Sequence, residues 1–375
     1  MIGFLVFLLS LLSFFQLGWH FWPEWSVVNG IRIDYLSPTV YTFDLVFFVL
    51  FLTNPKLIKI KKYCFWVSLL ITLNIFFSLS PFVTLYRWVR IFECVWLFLF
   101  LDKHQRLKPK FLFGLFLGVL LAGILAISQL IKGSSLGGGW YWLGERSFSL
   151  NTPGVSKILF LNSMKLRPYA SFPHPNVLAG VFFLVSILFL NSKQKIYKWT
   201  GIFCWFVIAF TFSRIIILMQ LLVLLIVVFK SKSKLFLFIF PLTLFLFLTH
   251  PNSLNERVLL LKDYWQEMTF SSFFGLGLGN SIYYNAKYYL QTQPIHNVYL
   301  LIFSELGVIQ SLFTLTLFLQ KIKIWLDTDN FWKIFFLLTV LASGTVDHYW
   351  WTLIQPQIIL SICLPFALKL GSEQS

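Results

Sequence analysis

Long, continuous runs of apolar residues dominate the chain and leave it few ways to fold. Most runs are about 16 to 24 residues long, enough for a helix to cross the hydrocarbon core of a bilayer. The runs do not alternate between apolar and polar residues, as barrel strands do. Charged residues make up only 12% of the chain, against about a quarter in a soluble domain. The sequence therefore predicts an all-α, polytopic membrane protein, because lipid offers the backbone no hydrogen-bond partners.

About twelve apolar segments are predicted to be transmembrane helices of a single domain that covers residues 1–375. They lie near residues 2–19, 39–53, 63–79, 82–101, 111–131, 176–191, 199–213, 215–230, 235–249, 297–320, 331–346 and 352–370. Two connections, 132–175 and 250–296, are long and rich in aromatic residues. Loops of this length in a compact protein are commonly functional, so both are candidate site segments.

Basic residues fill alternate short connections, at 54–62, 103–110, 192–198, 230–234 and 321–323. By the positive-inside rule these connections are cytoplasmic, which places both termini in the cytoplasm and the two long loops outside. The net charge of +16 is then a topology signal and a contact for anionic membrane lipids, and not the footprint of a nucleic acid.

The first long loop ends in the polar segment Arg167-Pro-Tyr-Ala-Ser-Phe-Pro-His-Pro-Asn176. Two prolines fix the backbone around His174, and Asn176 is placed to cap the following helix. Arg167 at a membrane border suits an anionic, lipid-linked substrate, with an interfacial anchor as the alternative. Arg214 lies in a short turn between apolar segments, where a charge faces a cavity or a partner, or else reaches toward lipid headgroups.

The second long loop begins with a predicted amphipathic helix. Ser253-Leu-Asn-Glu256 has the spacing of a capping box, and apolar residues then recur at helical intervals. Arg257, in the first turn of this helix, predicts an anion site, and a surface arginine near headgroups is the alternative. The later segment Gly275–Gly279 is predicted to be a flexible turn.

The same loop ends at His296 and Asn297, which open the next apolar segment. An imidazole titrates near neutrality and suits a general base or acid, although a lone interfacial histidine is more often structural. Glu305 follows roughly 13 Å further along a helix, too far for direct contact with His296. Glu305 is predicted to pair with a cation on another helix or to close a polar network.

Two further polar groups are candidate supports. Arg87, Arg90 and Glu93 lie in the fourth apolar segment, and ionisable residues at such a depth are functional candidates. Asp347 and His348 precede an aromatic run before the last segment, where a substrate contact and an interfacial aromatic belt are both open. The four cysteines are scattered through apolar segments, so neither a disulfide framework nor a zinc site is predicted.

Four stretches, in this order, resemble the O-antigen ligase and polymerase superfamily of bacterial membrane glycosyltransferases. They are Arg167 to Gly180, Phe212-Ser-Arg214, Asn255 to Gly279, and His296 to Gly307. The last stretch, with its His-Asn and Glu-x-Gly elements, is the most specific. The resemblance implies a GT-C-like helical fold in a bacterial inner membrane, an undecaprenyl-diphosphate-linked glycan as donor, and no metal or other cofactor.

The resemblance also implies roles for single residues on the extracytoplasmic face. Arg167, Arg214 and Arg257 bind the donor diphosphate in this interpretation, and His296 activates the acceptor hydroxyl. No paired carboxylates of the glycosidase type are visible, so an inverting transfer is expected. Lipid A–core, a second carrier-linked glycan and a protein hydroxyl all remain open as acceptors. A transporter or flippase for the same lipid-linked glycan is the alternative from another functional class.

Overall fold

A computed structural model describes residues 1–54, 64–160, 162–230, 273–289, 292–326 and 330–370. Within these ranges the chain is mostly helical, as the sequence predicts. The helices are α1 (Ile2–Leu12), α2 (Thr42–Thr53), α3 (Cys64–Phe76), α4 (Pro81–Lys103), α5 (Lys108–Lys132), α6 (Pro175–Leu190), α7 (Lys195–Thr211), α8 (Arg214–Lys230), α9 (Asn280–Tyr289), α10 (Val298–Leu326), α11 (Phe331–Gly344), α12 (Tyr349–Thr352) and α13 (Ile354–Ala367).

Short antiparallel sheets, which the all-α prediction did not include, lie in the connections. Strand β1 (Gly18–His20) pairs with β4 (Thr39–Tyr41), and β2 (Val27–Val28) pairs with β3 (Ile31–Arg32). The first long loop contains a third pair, β5 (Lys157–Phe160) with β6 (Ser163–Leu166). Asn29 and Gly30, both with positive φ, form the two-residue turn between β2 and β3.

The helices coincide with the predicted apolar segments, but many are shorter than expected. Segment 235–249 lies outside the described residues, and each of the other segments contains a helix. Two described segments, Gln105–Lys132 and Val298–Gln320, are long and apolar enough to cross a membrane, and seven further apolar helices in the described ranges have only 10–17 residues. The predicted twelve full-length spans are therefore not found in this part of the chain. One reason is the β1–β4 pairing, which takes up the ends of two expected spans.

Helix α6 lies at the centre of the packing. Its side chains from Val177 to Phe189 are buried, as expected for a helix that is apolar all round. It packs against α7, α11 and α13. Gly180 on this helix lies against the ring of Tyr349, and a Cβ at Gly180 would come within 2.9 Å of Tyr349 Cζ. The absence of a side chain at Gly180 thus brings the turn with Asp347 and His348 close to α6.

Helix α10 is broken at Gly307, whose φ of 74° is in the left-handed region. The segment Gly275–Gly279 packs against the break, and two of its N–H groups donate to the carbonyl oxygens of Ser304 and Glu305, at 2.8 and 3.0 Å. A Cβ built on Gly275 would lie 2.5 Å from the Gly307 nitrogen. The predicted flexible turn is therefore a backbone-packing element, because only glycine permits so close an approach.

Substitution of Gly307 by alanine is expected to destabilise the fold by about 2–3 kcal/mol. A left-handed conformation costs about 1–2 kcal/mol for a residue with a Cβ, and overpacking adds about 1 kcal/mol or more. The new Cβ would lie 2.5 Å from the carbonyl oxygen of Phe273. Thermal unfolding followed by circular dichroism measures the change. Gly139→Ala is the control, since Gly139 is surrounded by open space, and equal midpoints for both variants would contradict the prediction.

Candidate functional site

A cavity of about 360 Å³ lies where the long connections meet the helices. Its walls come from residues 16–41, from residues 146–177, from Gln293 and His296, and from residues 347–354, together with Tyr86 and Arg87 of α4. Four of the six histidines in the chain line it, namely His20, His174, His296 and His348. The fold thus gathers titratable groups from distant parts of the sequence at one place.

His296 and Asp347 lie opposite each other in this cavity. The distance between His296 Nδ1 and Asp347 Oδ1 is 3.7 Å. This exceeds a hydrogen bond but allows strong attraction when the imidazole is protonated. Asn297 ties their two backbones together, because its amide donates to Thr345 O at 3.1 Å while its Oδ1 accepts from the N–H of Leu300 at 3.0 Å.

The carboxylate of Asp347 is held in one orientation. Its Oδ2 accepts from Asn176 Nδ2, and its Oδ1 accepts from the backbone N–H of His348, both at 2.8 Å. Burial alone would raise the pKa of Asp347, but the adjacent His296 and His348 rings more than offset this effect and hold that pKa well below its usual range. Asp347 is therefore a fixed anion beside His296.

His348 lies next to the same carboxylate, with its ring centroid 5.0 Å from that of His296. Its Nδ1 is 2.6 Å from Thr352 Oγ1, and the Thr352 hydroxyl donates to the His348 carbonyl oxygen at 3.2 Å. When the hydroxyl proton is used in that bond, Nδ1–H of His348 is the donor to Thr352, and in this tautomer Nε2 carries the lone pair. Among the described residues, His296, Asp347 and His348 bring three potential metal-ligand atoms within 4.8 Å of one another.

His174 lines the cavity from the start of α6. Its Nδ1 accepts from the backbone N–H of Asn176 at 3.1 Å and so caps the helix. Burial, assisted by the positive charge of Arg167, lowers the pKa of His174 to about 3. The ring is therefore neutral at physiological pH, and its remaining proton is on Nε2.

Arg167 lies behind the cavity wall and is not among the described residues that line it. Its guanidinium donates to Thr211 O at 2.7 Å, to Ser156 Oγ at 2.8 Å and to Asn176 Oδ1 at 2.7 Å. Asn176 donates in turn to Asp347. The arginine predicted to bind an anion is thus the far end of a polar chain that fixes the Asp347 carboxylate.

Of the other predicted arginines, Arg90 and Arg214 are described by the structure and do not line the cavity. Arg214 begins α8 and is not one of the described residues around the cavity. Arg257 and its predicted amphipathic helix fall outside the described residues. Arg90 is bound inside the helix bundle, where it forms ion pairs with Asp44 at 2.7 Å and with Glu93 at 2.6 Å.

Glu305 is part of a buried network that, among the described residues, joins it to Ser281 and Trp351 and not to His296. Its two carboxylate oxygens accept from Ser281 Oγ at 2.6 Å and from Trp351 Nε1 at 2.7 Å. The network joins α9, α10 and α12. Glu305 therefore positions the segment that follows His348.

Among the described residues, two guanidinium groups line the cavity, those of Arg87 and Arg146. Arg87 is buried and donates to the carbonyl oxygens of Trp351 and Thr352, at 2.5 and 3.0 Å. The Arg146 side chain is 50% exposed, and Asp34 lies 4.0 Å away. Sequence reasoning misses Arg146, which occurs in no recognisable pattern.

The backbone around Arg146 is fixed by its buried neighbour, Glu145. The Glu145 carboxylate accepts from Gln129 Nε2 at 2.8 Å and from the backbone N–H groups of Leu136 and Gly137, at 2.8 and 2.7 Å. This buried carboxylate, with its three donors, orders the loop directly before Arg146, and neither its burial nor its donors can be read from the sequence.

Comparisons of the chain with protein-family models, with curated protein sequences and with solved structures give no match. The chemistry of the cavity is therefore the basis for a function. It offers a histidine beside a fixed carboxylate, a second histidine that is neutral, and one accessible guanidinium.

Proposed function

We propose that the chain is a polytopic membrane glycosyltransferase that moves a glycan from undecaprenyl diphosphate to an acceptor hydroxyl, as its resemblance to O-antigen ligases implies. The observation that carries the proposal is the pairing of His296 with the fixed Asp347 carboxylate at the wall of a polar cavity. The apolar helices and the alternate basic connections support a bacterial plasma-membrane protein with cytoplasmic termini and an extracytoplasmic site.

In this reaction His296 acts as the general base. It takes the proton of the acceptor hydroxyl while the hydroxyl oxygen attacks the anomeric carbon, and the bond from that carbon to the diphosphate oxygen breaks. The carrier diphosphate leaves with the bonding electron pair, and the configuration at the anomeric carbon inverts. Asp347 stabilises the imidazolium that forms, since the two charges then lie 3.7 Å apart at a partly buried site.

The leaving diphosphate gains negative charge and requires cations or hydrogen-bond donors. Arg146 offers a half-exposed guanidinium on the cavity wall, and the neutral His174 ring offers an N–H group. Charge-assisted bonds of this kind stabilise the transition state more than the ground state. Arg257 is a further diphosphate ligand in the proposal, and Arg214 remains one by resemblance alone. Arg167 acts indirectly, through its hydrogen bond to Asn176, which in turn holds Asp347.

The position of the cavity favours an enzyme over a transporter. A second cavity, of about 250 Å³, is lined by Lys108 and Lys193 of two basic connections that are predicted to be cytoplasmic, and by Lys369 near the C-terminus, which is predicted to be on the same side. The two cavities share no lining residue. A transporter needs a polar route that joins its two faces, and these separate cavities supply none among the described residues.

The function is tested with purified protein, an undecaprenyl-diphosphate-linked glycan and three separate acceptors: lipid A–core, a second carrier-linked glycan, and a serine-containing polypeptide. We expect a glycosylated product with one acceptor, together with release of undecaprenyl diphosphate. Absence of both with every acceptor would contradict an enzyme. Movement of labelled glycan across sealed vesicles without product would establish a transporter in its place.

Replacement of Arg146 by alanine is expected to raise the KM for the carrier-linked donor about tenfold. A hydrogen bond to a charged group is worth about 1.5–3 kcal/mol, and the half-exposure of Arg146 reduces this through solvent screening. Initial rates over a donor series measure the effect. Arg106→Ala is the matched control, an exposed arginine beside α4 that lies in a predicted cytoplasmic connection. Equal donor KM values for the two variants would exclude a contact between Arg146 and the diphosphate.

A further inference from the structure

We infer that His296, Asp347 and His348 form a binding site for a divalent transition-metal ion of the zinc class, and that an ion bound there inhibits glycan transfer. Each residue contributes one ligand atom, and these atoms lie within 4.8 Å of one another. The binding stands on the geometry alone. The inhibition rests on the proposed function, because it requires His296 to be the base.

The ligand set selects the class of metal. Two imidazoles and one carboxylate suit Zn²⁺ and its neighbours Co²⁺ and Ni²⁺, whereas Mg²⁺ and Ca²⁺ prefer oxygen ligands. A tetrahedral ion with bonds of about 2.0–2.1 Å holds its ligand atoms roughly 3.3 Å apart. His296 Nδ1 and Asp347 Oδ1 are already 3.7 Å apart. Small side-chain rotations therefore complete the site.

The groups around the three ligands orient them as metal ligands are commonly oriented. In the tautomer whose Nδ1–H donates to Thr352 Oγ1, Nε2 of His348 is the coordinating nitrogen. Asp347 Oδ2 is held by Asn176, which is held in turn by Arg167. Such outer contacts fix the tautomer of a histidine and the direction of a carboxylate before an ion binds.

His296 Nδ1 supplies the independent observation that points to a ligand. This nitrogen is buried, and the described part of the chain gives it no hydrogen-bond partner. Buried polar atoms are nearly always satisfied, so an orphaned nitrogen next to an anionic oxygen needs an explanation. A metal ion between Nδ1 and the Asp347 carboxylate satisfies both groups at once, and all three ligand residues line the cavity.

Coordination removes the base that transfer requires. When Nδ1 binds the ion, the neutral imidazole keeps its single proton on Nε2, so neither nitrogen can accept the proton of the acceptor hydroxyl. Any proton displaced from Nδ1 is released to solvent. The ion also neutralises Asp347, which otherwise stabilises the imidazolium. Bound zinc is thus a reversible inhibitor of the same site.

Binding is tested first, without reference to activity. Protein freed of metal by a chelator is titrated with Zn²⁺ by calorimetry and with Co²⁺ by visible absorption. We expect one ion per chain, an absorption typical of tetrahedral Co²⁺, and at least tenfold weaker binding by His348→Gln and by Asp347→Asn. His20→Ala is the control, a histidine of the same cavity outside the ligand group. Absence of binding, or affinities in both ligand variants equal to that of the parent, would overturn the inference.

Inhibition is tested second, by measuring transfer in metal-free protein before and after addition of Zn²⁺. We expect Zn²⁺ to reduce the transfer rate and a chelator to restore it. The rate of each protein is expressed relative to its own zinc-free value. On this scale, the same reduction in His348→Gln should require at least tenfold more Zn²⁺ than in the parent. Site-specific binding with unchanged or increased transfer would overturn the inhibitory role. Absence of transfer in the metal-free protein with every acceptor would count against the proposed function only, since the binding isotherms still decide the metal site.

Discussion

The His296→Ala protein is expected to transfer glycan about 10²–10⁴ times more slowly than the parent, because a positioned general base contributes a factor of this size. The acceptor hydroxyl has a high pKa and is a poor nucleophile until its proton is removed. The diphosphate is a good leaving group and needs less help. The loss should therefore appear in kcat, with the donor KM changed by less than about twofold, since the base acts in the transition state.

A histidine remote from the cavity provides the control for this variant. His104 follows α4, and its Nδ1 lies 2.8 Å from Phe100 O. His104→Ala should keep the parental kcat. Initial-rate measurements on both variants, with circular dichroism to show that each is folded, complete the comparison. A His296→Ala protein with the parental kcat would remove His296 from the catalytic mechanism.

Asp347→Asn is expected to lower kcat roughly 10²-fold, because a buried carboxylate that orients a catalytic histidine and stabilises its protonated form contributes at least this much. Two donors converge on the Asp347 carboxylate, Asn176 Nδ2 and the N–H of His348. An asparagine has only one side-chain oxygen, so its NH₂ group must point at one of these donors. The variant therefore loses the negative charge beside His296 and also one supporting hydrogen bond.

The control for this substitution is Asp102→Asn, at the end of α4. Asp102 pairs with Lys369 at 2.9 Å and is about half exposed, so its loss should change stability and activity little. The kcat of each variant is compared with the parent at saturating donor and acceptor. Equal kcat values for Asp347→Asn and Asp102→Asn would show that the carboxylate does not assist His296.

The helices were predictable from the sequence, whereas their ends were not. Each apolar run in the described part of the chain contains a helix, because its length and composition allow little else. The shortening of α1 and α2 depends on pairing between residues 18–20 and 39–41. That pairing joins two segments across an intervening loop, and no local pattern encodes it. The break at Gly307 likewise depends on the approach of a segment about thirty residues away.

In the candidate site, too, the sequence predicts the individual residues but not their arrangement. Its polar residues at helix borders, His174, Asn176, His296, Asp347 and His348, could be identified individually because such residues are scarce in this chain. Their convergence depends on packing around α6, which no spacing reveals. A sequence also does not show how many acceptors surround a guanidinium. Arg167, the predicted diphosphate ligand of the first long loop, donates to three acceptors inside the protein.

The break at Gly307 divides α10 into a short helical segment before it and a longer one after it. The short segment, which begins beside His296, is anchored by Gly275–Gly279, and this turn also packs on Ser78 and Arg87. The orientation of this short segment is thus set by packing against α4 and not by the part of α10 beyond Gly307. In an unbroken helix, a tilt of the far end would also move the end beside His296. Because the helix is interrupted at Gly307, we expect substitutions in the distal half of α10 to leave the contact between His296 and Asp347 unchanged.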